Sequence, residues 1–182
     1  MSGSEIVARA RAQIGRKIVY QLGSGDVTAH DDSPADEFNR CDCSAFVCWC
    51  LKLNKRQSFN WLKIINGGWY NTAGIWWDAV MERTGFFNVV EKLEPGDIVV
   101  YPPHSLVLYA IRQGFLVPDV NYPKIGHVGI ISAVKDDEAE KIVHCSSGNY
   151  RLSRFTDAVA ETSPAIFKRK AVESVVRNVR FA

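Results

Sequence analysis

Apolar positions recur along this chain at two different spacings. In residues 4–15, Ile6, Ala10 and Ile14 fall four apart while Arg9, Arg11 and Gln13 lie elsewhere, which predicts an amphipathic helix stopping at Gly15. Residues 22–40 are rich in Gly, Asp, Ser and Pro and predict a loop. A second helix is predicted from Asp42-Cys43, capped by Asp42 or Ser44, with Phe46, Val47, Cys50 and Leu51 on one apolar face. Residues 58–90 are mixed and tryptophan-rich, with a helix expected around 76–84, before Gly85.

The spacing changes after the turn signal Pro95-Gly96. Short β-rich runs follow at 97–101, 128–134, 141–144 and 175–181, and a charged turn from Asp136 to Glu140 joins the second to the third. Helices first and strands later predict an α+β domain, with N-terminal helices packed on a mostly antiparallel sheet. A chain of 182 residues carries one real core, and dividing it leaves two marginal pieces, so a single domain over 1–182 is expected.

Charge adds little to this picture. Net charge is +2, so nothing calls for nucleic acid, and Lys168-Arg169-Lys170 reads as a solvated face. The first residues lack the apolar core of a signal peptide, and no stretch approaches the ~18 apolar residues of a membrane span. The expected product is cytoplasmic as synthesised, reaching a cell wall only by a non-classical route.

Five cysteines, at 41, 43, 48, 50 and 145, change the picture more. Their odd number, without a signal peptide, argues against a disulfide framework. Cys43 sits where the second helix begins, and there the helix dipole and free N–H groups favour a thiolate. Its own amide is also placed to hold an oxyanion. A thiol nucleophile needs a base, and the histidines are 30, 104, 127 and 144. His127 opens one predicted strand and His144 closes the next, so a hairpin sets them side by side, with His144 fixing the tautomer of His127. His104 is the reserve. The rival reading is zinc, because C-x-C-x₄-C-x-C offers four thiolates, but the helix predicted through the run would scatter the sulfurs. Trp61, Trp69, Trp76 and Trp77 either line a groove or fill the core.

The order of these residues also resembles a known family. Asp42-Cys43-Ser44-Ala45-Phe46-Val47, Glu94-Pro95-Gly96-Asp97-Ile98-Val99, Gly126-His127-Val128-Gly129-Ile130 and Ile142-Val143-His144 look like the motifs of the NlpC-type cell-wall peptidases, which are papain-like cysteine enzymes. Ala10-Arg11-Ala12-Gln13-Ile14-Gly15 followed by Tyr20 resembles their opening helix and active-site tyrosine. Ala45 stands where a glycine is usual, and the link from Tyr101 to Gly126 is longer than usual. The resemblance implies a papain-like fold, Cys43, His127 and His144 as catalytic residues, and Tyr20 with the Cys43 amide supporting an oxyanion. Asp42, Ser44, Trp69 and Trp77 are then the candidates for substrate contact. No cofactor or metal is expected. The implied partner is peptidoglycan or a muropeptide, cut at a stem-peptide amide through a thioester; any inhibitor or immunity protein is left unassigned. A phage lysin, an injected effector and a recycling enzyme all fit. The same site also suits an amidase, deamidase or acyltransferase acting on protein or lipid, and a non-catalytic binding module is the alternative of another class.

Overall fold

A computed structural model of the chain describes residues 1–26, 32–82, 84–104, 124–171 and 176–182. Helix α1 (Gly3–Arg11) opens on a capping box, in which the Ser2 hydroxyl accepts from the Glu5 amide and the Glu5 carboxylate accepts from the Ser2 amide at 2.7 Å. It buries Ile6, Val7 and Ala10, but it ends four residues early and leaves Ile14 exposed. Two short strands bracket the predicted loop, β1 (Val19–Tyr20) before it and β2 (Arg40–Cys41) at its end, and they pair in parallel.

Helix α2 (Cys43–Cys50) begins where expected, and Asp42 rather than Ser44 caps it: Asp42 Oδ1 accepts from the Ala45 amide at 2.7 Å. All eight of its residues are buried, so it is a core helix enclosed on every side rather than an amphipathic one. Burial of side chains such as Phe46 and Val47 contributes about 1.5–3 kcal/mol each. Helix α3 (Asn60–Asn66) follows. Helix α4 (Thr72–Met81) starts earlier than the expected 76–84 because Asn71 caps it, accepting from Ala73 and Gly74.

The remaining elements are β3 (Phe87–Val89), β4 (Ile98–Tyr101), β5 (His127–Lys135), β6 (Glu138–Cys145), α5 (Ser147–Leu152), β7 (Val159–Thr162), α6 (Ala165–Ala171) and β8 (Arg177–Phe181). The strands predicted from 97, 128 and 141 are β4, β5 and β6. That predicted at 175–181 is β8, with Val175 outside the described residues. The sheet runs β3-β8-β4-β5-β6-β7 and every neighbouring pair is antiparallel. Strand β8 is inserted beside β4, and Arg180 holds it there by donating to both oxygens of buried Asp97 at 2.7 and 2.9 Å.

The two faces of the sheet bury different sets of side chains, as its pleat requires. Val128, Ile130, Val143 and Cys145 join the main core with α1, α2 and α4. Ile131, Ile142, Val99 and Tyr101 join a smaller cluster around Phe167 of α6. By the same alternation His127 and His144 lie on the Phe167 side, and α2 lies on the other. Among the described residues no helix is long and apolar enough to cross a membrane.

Candidate active site

Cys43 is the first residue of α2, so its amide has no acceptor within the helix. The helix reaches the sheet, and the Val128 amide of β5 is near enough to lower the Cys43 thiol slightly. Val128 is the residue after His127 on β5. The β1–β2 pairing sets Tyr20 beside Cys41, and its phenol is close enough to Cys43 for an ionised thiol to raise it. Burial first, then Cys43, raises the Tyr20 phenol, which therefore keeps its proton.

The two histidines meet as the hairpin reading predicts. His127 Nε2 and His144 Nδ1 are 2.8 Å apart, and the rings meet edge to face. His144 Nε2 lies 2.9 Å from Thr162 Oγ1 on β7, and the Asn149 amide group donates to the His144 carbonyl at 2.9 Å. Phe167 stacks on the His127 ring, with centroids 5.2 Å apart and planes inclined at 18°. Gly129 makes the pairing possible, since a Cβ there would lie 2.6 Å from Ile142 Cγ2 and 3.0 Å from His144 Cβ. Gly126 does the same for the approach to α4, where a Cβ would meet Thr72 Oγ1 at 2.3 Å.

Burial overrides the helix terminus in setting charge. It pushes the Cys43 thiol well above the usual thiol range, with Asp42 adding to the shift and Lys55 opposing it. The thiolate expected from the helix position is thus not the resting form. Burial, then His144, lowers His127 to about 3, and burial lowers His144 to about 4. Burial thus disfavours the charged forms of the thiol and of both imidazoles.

The same shifts predict acid sensitivity. Below the ordinary imidazole value of 6.5 the unfolded chain takes up protons on both histidines, whereas the folded chain does not until about pH 4. Stability is therefore whole above pH 6.5 and falls as pH drops towards 4, by up to about 1.4 kcal/mol per pH unit for each ring. Urea melts at pH 7.5, 5.5 and 4.5 are expected to show the decline, and His144→Asn should flatten it. A midpoint constant over this range would refute a buried neutral pair.

Cys43 forms part of the floor of a cleft of about 570 Å³ whose rim carries the exposed side chains of Leu22 and Ile125. Trp69, Thr72 and Lys55 also line it, as do Asp42 and Ser44. Asp42 has little left to offer a ligand. Its oxygens accept from the Gly23 and Ala45 amides, from Ser44 Oγ at 2.8 Å and from Lys55 Nζ at 2.9 and 3.0 Å. Lys55 and Asp42 are both buried, at 4% exposure each, so the cleft wall holds a neutralised pair rather than a bare carboxylate.

Trp77, read from sequence as either groove or core, lies away from the cleft. It is buried, packs against Trp76 and lines no part of the cleft, because α4 starts at Thr72 and turns that face into the core. His104 is exposed and does not line the cleft, and His30 is outside the described residues. All five cysteines are free and buried. Their sulfurs point apart, Cys41 towards the Asp42 carbonyl, Cys48 towards that of Tyr70 and Cys145 towards that of Cys41. Among the described residues no three His, Cys, Asp or Glu side chains converge on a metal position. Sequence reasoning missed Lys55, Asn149, Thr162 and Phe167. Ser146, at the N-cap of α5, was a legible signal for Asn149, whose amide it accepts; nothing local marked the other three.

Helices that precede a twisted antiparallel sheet, with a cysteine heading the buried helix and paired histidines on adjacent strands, define a papain-like α+β fold. The model of the CHAP domain matches residues 33–149, more than half of the chain and a span that includes Cys43, His127 and His144. The chain belongs to the CHAP domain family, a domain found in NlpC/P60-like and amidase cell-wall peptidases, and membership supports a hydrolase of the amidase or peptidase type. A solved structure described as the crystal structure of Ly7917 is similar at 14% identity and a TM-score of 0.44, over 100% of this chain and 63% of that one. This chain thus spans under two thirds of that protein's length. No curated protein matches the sequence.

Proposed function

We propose that the chain is a cysteine hydrolase that cleaves amide bonds of bacterial peptidoglycan stem peptides, with Cys43 as nucleophile, His127 as base and His144 orienting the base. The observation that carries this reading is Cys43, which heads buried α2 and lines the cleft, together with the His127–His144 pair on the β5–β6 hairpin. Family membership supports the substrate class.

The chemistry starts from the neutral pair. His127 Nε2 is engaged by His144, which leaves Nδ1 to take the thiol proton as sulfur attacks the carbonyl carbon. The oxyanion is held by the Cys43 amide and by the Tyr20 hydroxyl, which burial keeps protonated. His127 returns the proton to the amine as the C–N bond breaks, leaving a thioester. Water, deprotonated by His127, then breaks the C–S bond, and the proton goes back to Cys43. Trp69 supplies an apolar wall for the peptide.

The test is digestion of purified sacculi by the wild type and by Cys43→Ala, with mass analysis of released fragments. Fragments with new stem-peptide termini from the wild type and none from the variant are expected. Equal release by the variant removes Cys43 from the mechanism. No release by a folded wild type removes peptidoglycan as the substrate.

A further inference from the structure

We propose that Thr162 is a positioning residue whose hydroxyl fixes both imidazoles as Nε2–H tautomers, so that His127 presents an unprotonated Nδ1. This rests on the reading of His127 as the base.

The need arises from the third member of the site. A carboxylate only accepts hydrogen bonds, so by itself it tells a histidine which nitrogen carries the proton. His144 is a neutral imidazole that donates or accepts through either nitrogen, and on its own it leaves the direction of the His127–His144 bond open. Among the described residues no carboxylate hydrogen-bonds to either ring, and Glu161, beside Thr162, is paired with Arg11 at 2.7 Å. Some other group must break the symmetry.

Thr162 does so through its single proton. Its Oγ1 donates to the Ser163 carbonyl at 3.1 Å. Having given that proton, the same oxygen only accepts across the 2.9 Å to His144 Nε2, so Nε2 carries the hydrogen. A neutral imidazole has one N–H, hence His144 Nδ1 is bare and accepts across the 2.8 Å from His127 Nε2. His127 then has its one proton on Nε2 and a free lone pair on Nδ1, the atom that must receive the thiol proton. The reverse polarity takes the Thr162 proton away from Ser163 and puts a hydrogen on His127 Nδ1, where it blocks the base.

The fold places the hydroxyl by register. Ile142 pairs with Thr162 and His144 with Ala160, so Thr162 lies one step diagonally from His144 on the same face of the sheet. Phe167 and Asn149 fix where the rings sit, but neither reaches a ring nitrogen. Thr162 alone of these sets the proton.

Long-range ¹H–¹⁵N spectra of the wild type at pH 7.5 are expected to show both rings as neutral Nε2–H tautomers. In Thr162→Val the His144 and His127 tautomers become mixed, and kcat falls about tenfold or more with KM unchanged, short of the about 10⁴-fold cost of a fully wrong tautomer. Thr162→Ser restores both readouts. An Nδ1–H tautomer for His127 in the wild type overturns the proposal. So does Thr162→Val with lowered kcat and unchanged tautomers, which marks a packing role, or with shifted tautomers and unchanged kcat. If Thr162→Val does not fold, the wild-type spectrum and Thr162→Ser still decide it. The spectra need no substrate, so failure of this proposal is distinguishable from failure of the peptidoglycan reading.

Discussion

His127→Ala is expected to slow release of muropeptides by about 10²–10⁴-fold, the range over which a positioned general base acts. The reason lies in the burial of Cys43. A helix terminus alone does not ionise this thiol, because desolvation and the Asp42 carboxylate raise it more than the Lys55 ammonium lowers it. Without an imidazole to take the proton during attack, almost no nucleophile forms, and raising the pH within the stable range rescues little. KM should change less than kcat, since His127 is only 7% exposed and contributes little surface to substrate. The double variant Cys43→Ala/His127→Ala should be no slower than Cys43→Ala, because residues that act as a unit are not additive. Single-turnover assays on sacculi measure all three. A His127→Ala enzyme with most of its rate would assign the base elsewhere.

Lys55→Met is the second large effect, and it concerns stability. The ammonium sits 2.9 and 3.0 Å from the two Asp42 oxygens, and both side chains are out of water. Removing the cation leaves a carboxylate buried beside Cys43, at a cost of about 3–5 kcal/mol. For a domain of this size that lowers Tm by about 10 °C. Asp42 also caps α2, so the second half of the test preserves the cap: Lys55→Met/Asp42→Ser keeps an acceptor for the Ala45 amide and removes the stranded charge. The double variant should recover most of the lost stability in urea melts. A single variant within about 1 kcal/mol of wild type would mean that the pair is solvated and contributes as a surface pair does.

Both effects depend on desolvation, and that was the part of the site least legible in the sequence. The helix at Cys43 and its Asp42 cap were legible, because a cap is a contact over three residues. The hairpin that pairs His127 with His144 was legible too, because alternation and a charged turn are local signals. Trp77 stayed open in the sequence because its residue type fits a groove or a core equally well, and its burial on α4 depends on packing.

The sequence by itself determined the α+β order of elements, the cysteine at the head of the buried helix and the two histidines on adjoining strands. Each of these follows from interactions between residues close along the chain. The tertiary structure alone decided that β8 enters the sheet beside β4, that Lys55 neutralises Asp42, that Phe167 covers His127 and that Thr162 ends the histidine chain. Arg180 finds Asp97 across 83 residues and His144 finds Thr162 across 18. Such contacts, and the exclusion of water that shifts the thiol and the imidazoles, exist only once distant segments have packed, and no local pattern encodes them.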